Sequence, residues 1–227
     1  MNGIWILLLL ILIAALPVII VFFWFRKKKS PVSLPWFLVA LAAGIVSLLA
    51  AALIQNFLPS FTGSGRGRPW LIFYDFFIRI ALVEEASRLV TIIPFFRLGF
   101  RRRNMDRAFC GALGFAAGLG FATLESAFYG IADINVALLR ALAAAPLHGA
   151  CGIRVSLSFF YFNRYPVKAF FLFIFAVLIH GVYNMMILNP ALPSVLAILI
   201  AIIALLSSLP FLKPDNDTLF APNTPSA

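Results

Sequence analysis

The chain has 227 residues, 63% of them hydrophobic and only 11% charged, with a mean hydropathy of +1.03. That composition excludes a soluble globular domain and points to an all-α, polytopic transmembrane helix bundle. The net charge of +10 does not describe a nucleic-acid surface. Arg26-Lys27-Lys28-Lys29 and Arg101-Arg102-Arg103 stand at the ends of apolar segments, where basic residues set topology and meet anionic lipid head groups.

Seven apolar runs follow one another: Ile4–Phe25, Val32–Leu58, Trp70–Phe96, Ala108–Ile131, Val136–Phe160, Ala169–Leu188 and Ser194–Leu212. The first has no basic stretch before it, exceeds a signal-peptide core in length and is followed at once by four basic residues, so an anchor is expected. With the N-terminus outside, inner loops hold twelve Lys and Arg, from Arg26 to Lys213, and outer loops only Arg66 and Arg68. The positive-inside rule therefore predicts about seven spans running N-out, C-in. The outer loop Pro59–Pro69 is rich in Gly and Ser and is expected to be flexible. The tail after Lys213 has no apolar period and is expected to be disordered. Cys110 and Cys151 both fall inside apolar runs and form neither a disulfide framework nor a metal motif, so packing roles are expected.

The third run is the anomaly. Arg79, Glu84, Glu85 and Arg88 together cost roughly 10–14 kcal/mol near a bilayer centre. The run's fifteen Leu, Ile, Val and Phe return only about 4.5–9 kcal/mol on the same scale. Alone it should insert poorly, so neighbouring spans must solvate or pair its charges. At about 100° per residue, Glu84 and Arg88 share a face with Glu85 on its flank. Asp75 and Arg79 lie on the opposite face, at a spacing that suits a local ion pair.

The next three runs offer matching groups. In the fourth, Gly111, Gly114, Gly118, Ala122 and Glu125 fall on one stripe, and Gly114 with Gly118 makes a small-xxx-small contact. In the fifth, Ala141, Ala145, His148 and Gly152 share a face, with Pro146 placed to loosen the backbone beside His148. In the sixth, His180 and Asn184 are one turn apart. Counted in residues, Glu84, Glu85 and His148 lie near mid-depth, and Glu125 and His180 toward the outer half. All three glutamates and both histidines of the chain thus sit inside apolar runs, at depths that overlap enough for one shared cavity.

These residues also carry a resemblance. Glu84-Glu85-Ala86-Ser87-Arg88, Phe121-Ala122-Thr123-Leu124-Glu125, His148, and His180-Gly181-Val182-Tyr183-Asn184 follow in order over residues 70–188. The set resembles the PrsW family of intramembrane proteases, with its EExxK, FxxxE, His and HxxxN motifs. That family is related to the CAAX-processing and bacteriocin-immunity peptidases. Arg88 stands where PrsW proteins usually have Lys, which keeps the charge but resists deprotonation. The first two runs and the last carry no motif. The resemblance implies two N-terminal spans and an outer loop (1–69), a four-span catalytic core (70–188), a last span (189–212) and a cytoplasmic tail (213–227). It implies a multi-pass protein of the cell membrane, in the bacterial plasma membrane.

What it implies chemically is peptide-bond hydrolysis in a membrane-anchored protein substrate, such as first-site cleavage of an anti-sigma-factor-like regulator. Glu84 or Glu85 is the expected general base, with Arg88 fixing its charge state. By match, Glu125 and His148 hold the water or shuttle its proton, while His180 and Asn184 donate to the developing oxyanion. No cofactor is expected. His-Glu-x-x-His and Glu-x-x-His are absent and two basic residues stand nearby, so a glutamic, metal-independent mechanism is preferred to a metal-dependent one. A proton- or ion-coupled transporter is the reading from a different class, and the lack of repeated halves counts against it.

Overall fold

Every apolar run of the sequence becomes helical in the computed structural model, which describes residues 3–27, 32–61, 68–102, 106–131, 134–188 and 193–213. We number the helices α1 (Gly3–Lys27), α2 (Leu34–Phe57), α3 (69–102), α4 (Arg107–Gly130), α5 (Ile134–Tyr161), α6 (Pro166–Leu188) and α7 (Ser194–Ser208). A 3₁₀ turn, Leu209–Leu212, extends α7, and there is no strand among the described residues. Five of the helices (α1, α2, α4, α6 and the extended α7) are long and apolar enough to cross a membrane. The two others carry most of the inward ionisable groups: Asp75, Arg79, Glu84, Glu85 and Arg88 on α3, and Arg140, His148 and Arg154 on α5, with Glu125 on α4 and His180 on α6. The result is inverted relative to a soluble protein. Phe57, Leu142 and Val90 are among many large apolar side chains left exposed, while the acids and imidazoles are inside.

Helix α4 is the axis of the bundle, buried along nearly its whole length. It begins on Asp106, whose carboxylate accepts the Phe109 N–H at 2.6 Å and satisfies a free donor of the first turn. Its glycines let two neighbours touch it backbone to backbone. A Cβ on Gly118 would stand 2.0 Å from the His148 carbonyl oxygen, and one on Gly114 2.2 Å from that of Gly152. The stripe predicted from spacing is therefore the α4–α5 contact. On the other side a Cβ on Gly44 of α2 would stand 1.9 Å from the Ala117 carbonyl oxygen. Helix α5 continues without a break through Pro146. Near its end, Arg154 donates to the Ala150 and Ala204 carbonyls and to Ser207 and Ser208, fixing the C-terminal turn of α7 with a cation. Cys110 and Cys151 are buried and free, as packing residues would be.

Helix α3 departs from expectation. It is α-helical over Pro69–Phe73, π-helical over Tyr74–Leu82 and α-helical again over Val83–Arg102. The 100°-per-residue projection holds for Glu84 to Arg88 but not above them, since the π stretch uses i→i+5 bonds. No Asp75–Arg79 ion pair forms among the described residues. Asp75 is buried and instead accepts the Phe61 N–H at 2.9 Å, tying the segment after α2 to the top of α3. Residues 62–67 of the outer loop and 214–227 of the tail lie outside the described residues, and with them the expectations of flexibility and disorder.

Candidate functional site

Five helices converge on one polar cluster. Glu84 and Glu85 open the second α-helical part of α3, directly after the π stretch, and Arg88 follows one turn on. Glu125 comes from α4, His148 and Arg140 from α5, and His180 from α6. All of these are buried, with Glu85, Arg88, His148 and His180 at 0% exposure. Gln55, near the end of α2, reaches in from the side.

The contacts form a chain. Glu85 is held at both oxygens: Oε2 accepts from Arg88 Nη1, and Oε1 lies 2.7 Å from His180 Nδ1. The other arm of the Arg88 fork, Nη2, is 3.2 Å from His148 Nδ1. Its guanidinium also rests 4.5 Å over the ring of Phe121, so the aromatic residue of the FxxxE stretch is a platform for that cation. His148 Nε2 is 2.8 Å from Glu125 Oε2, and Arg140 pairs with that same oxygen. On the far side, Gln55 Nε2 donates to Glu84 Oε1 at 3.1 Å, while Glu84 Oε2 is 3.4 Å from His180 Nε2.

Proton placement follows from donor chemistry. A carboxylate only accepts, so His180 donates Nδ1–H to Glu85. Its Nε2 lies 3.4 Å from the free Oε2 of Glu84, with no aligned hydrogen bond between them. A guanidinium only donates, so His148 Nδ1 accepts and its hydrogen sits on Nε2, toward Glu125. The Oε2 atoms of Glu84 and Glu125 and the Nε2 atoms of both histidines are all buried without an aligned hydrogen bond. Such orphaned polar atoms in a buried site are places for water, a proton, an ion or a substrate. Three carboxylates and two guanidinium groups also leave the cluster one negative charge in excess when both histidines are neutral, which draws a cation or a proton.

A metal can be tested against this geometry. One donor atom each from Glu84, His148 and His180 falls within 4.8 Å of the others. Two imidazoles and a carboxylate suit a catalytic divalent ion such as zinc, and the Glu85–His180 contact is the outer support such ligands usually have. The donor set fits. One contact opposes it, because Arg88 holds His148 in the tautomer whose Nε2 bears the hydrogen.

Of the residues singled out from the sequence, the structure brings Glu84, Glu85, Arg88, Glu125, His148 and His180 together. Asn184 is buried one turn from His180 but makes no hydrogen bond to any of these among the described residues. Arg140 and Gln55 join them. Arg140 carries the same sequence signal as the others, a charge inside an apolar run, while Gln55 lies on a run with no motif. The Tyr183 hydroxyl, between His180 and Asn184 in sequence, is buried without a hydrogen-bond partner.

A family model described as PrsW family intramembrane metalloprotease matches residues 31–209 of the chain. No match was found among curated proteins or among solved structures.

Proposed function

Because the chain belongs to the PrsW family of intramembrane metalloproteases, we propose that its buried cluster hydrolyses a peptide bond of a membrane-anchored protein. The observation that carries this reading is the buried, unpartnered pair Glu84 Oε2 and His180 Nε2, 3.4 Å apart. A water lodged there meets a carboxylate oxygen that can take its proton. Glu85 is the wrong half of the acid pair for this, since both its oxygens are engaged. Glu84 is the base.

In this reading the water oxygen adds to the scissile carbonyl carbon as its proton passes to Glu84, and the carbonyl π pair moves onto oxygen. When the C–O double bond re-forms, the C–N bond breaks and the stored proton goes to the leaving amine nitrogen. Water is thereby divided between a new carboxyl and a new amine. Glu85, itself held by Arg88, orients the His180 ring through Nδ1. His148 and Glu125, in contact at 2.8 Å, form a second proton route along the same wall.

The family description and the donor set favour a metal-dependent version of the same reaction. Glu84, His148 and His180 would hold the ion, which when bound supplies acidification of water and polarisation of the carbonyl. Glu85, behind His180, and Glu125 are then the carboxylates left outside the ligand set. The test uses purified protein in liposomes with a panel of labelled single-span peptides. Cleavage into two fragments that Glu84→Gln abolishes supports the peptidase reading, and an intact panel in the presence of zinc sinks it. Cleavage lost to a chelator and restored by zinc assigns the ligand set. Cleavage that persists after exhaustive chelation leaves the work to Glu84 alone.

The proposed topology is seven spans, with α3 and α5 crossing inside the shelter of the five apolar helices. The substrate site then opens toward the outer half, where an anchored regulator would present its cleavage segment. Reporter fusions after Lys29 and after Arg68 should report opposite sides, the first cytoplasmic. The same side for both, or the first outside, overturns that arrangement.

A further inference from the structure

We propose that Arg140 and the hydroxyl of Tyr183 bind the scissile carbonyl oxygen as it gains negative charge. This rests on the peptidase reading and names the group that completes it. Arg140 is 3% exposed, and its guanidinium touches Glu125 Oε2, the oxygen that also contacts His148 Nε2. The cation is therefore a few ångström from the imidazole and borders the reacting centre. The ring of Tyr129, one turn beyond Glu125, lies 4.2 Å beneath it and fixes the plane of the fork.

Arg140 nevertheless has donors to spare. Its Nε is buried without an acceptor, and its Nη2, in contact with Glu125 Oε2, is not aligned on it, although a guanidinium has five N–H groups and cannot shed its charge. An ion pair serving only to neutralise Glu125 has no use for a buried Nε–H left without an acceptor. Tyr183 supplies the other half. Its side chain is fully buried on α6, three residues after His180, and its hydroxyl has no partner. It packs in one core cluster with Ala143, Ala144 and Leu147, which lie on α5 between Arg140 and His148. Its phenol is within electrostatic range of Arg140 and Glu125. Two buried donors on adjacent helices are thus short of an acceptor, and the reaction creates one when the carbonyl oxygen becomes an anion. Sequence reasoning gives this task to His180 and Asn184, but His180 Nδ1 is engaged by Glu85 and Asn184 makes no hydrogen bond to the cluster among the described residues.

The experiment compares Tyr183→Phe, Arg140→Lys and the unaltered protein on one cleaved single-span peptide, separating kcat from KM and recording melting temperature in detergent. Removing an unpaired buried hydroxyl leaves the fold as stable as before, so Tyr183→Phe is the cleaner variant. Expected is a fall in kcat on the order of 10–100-fold for each variant, with KM nearly constant, as for removal of an oxyanion donor. Wild-type kcat in both variants overturns the inference while leaving the peptidase reading intact. A fall in melting temperature with unchanged kcat assigns Arg140 to structure alone, and also overturns it. If the unaltered protein cleaves nothing, the peptidase reading fails and this inference goes with it.

Discussion

Replacing Glu84 with Gln should abolish cleavage and leave the fold as stable as before. Glu84 is the one member of the acid pair with an unengaged oxygen, so its loss removes either the base or a metal ligand. A general base is worth roughly 10²–10⁴-fold, enough to take most peptidase assays to background. Stability is spared for a specific reason. The amide oxygen of Gln still accepts from Gln55, and its NH₂ can donate to the Nε2 of a neutral His180, which the carboxylate leaves without an aligned partner. The substitution heals a defect in the unliganded site. A melting temperature at or above that of the parent, together with a dead enzyme, is the expected result. Residual cleavage within tenfold of the parent would show that Glu84 is not at the reacting centre.

Glu85→Gln makes a poor substitute for that experiment. An amide has one acceptor where Glu85 serves two donors, and Arg88 would be left as a buried cation without its counter-charge. Removing one partner of such a pair costs about 3–5 kcal/mol. Lost activity in Glu85→Gln would therefore mix a broken fold with broken chemistry. The adjacent acids look alike in sequence, and only the three-dimensional contacts separate an anchoring carboxylate from a working one.

Much of this site was legible before any coordinates, because lipid makes polar residues conspicuous. A glutamate at mid-depth in an apolar run must find a partner, so the acids and imidazoles announced a shared interior. The Gly114–Gly118 spacing likewise announced a close helix contact, and the structure puts His148 and Gly152 against it. The π stretch was not legible, because Tyr74–Leu82 has no Pro or Gly to mark a change of helical ladder. Gln55 was invisible for a different reason. One amide at a helix end is ordinary there, and its meaning depends on which neighbour packs beside it. Asp75 and Arg79 show the limit of spacing arguments. Four residues apart is a permissive separation, and a backbone N–H from the preceding loop took the carboxylate instead.

The geometry that spacing did predict can be put to a severe test at Gly118. Alanine is a better helix former than glycine by about 1 kcal/mol, so propensity alone expects Gly118→Ala to be neutral or stabilising. The packing says the reverse. The added methyl would stand 2.0 Å from the His148 carbonyl oxygen and 2.5 Å from its carbon, both backbone atoms that no rotamer change can move aside. Helix α5 must shift outward at the very residue whose imidazole meets Glu125. Overpacking of this kind costs about 1–3 kcal/mol or more, and a misplacement near 1 Å at a reacting centre costs about 10²-fold in rate. Expected, then, is a lower melting temperature and a loss of cleavage out of proportion to it. Gly111→Ala is the control on the same stripe. Its methyl would find the nearest atom, Leu212 Cδ2, at 3.3 Å, a flexible side-chain end that can yield. Near-parental activity at position 111 and collapse at 118 would place the α4–α5 backbone contact under the active site. Equal behaviour at both positions would mean that the bundle absorbs the methyl and that His148 is not held by this contact.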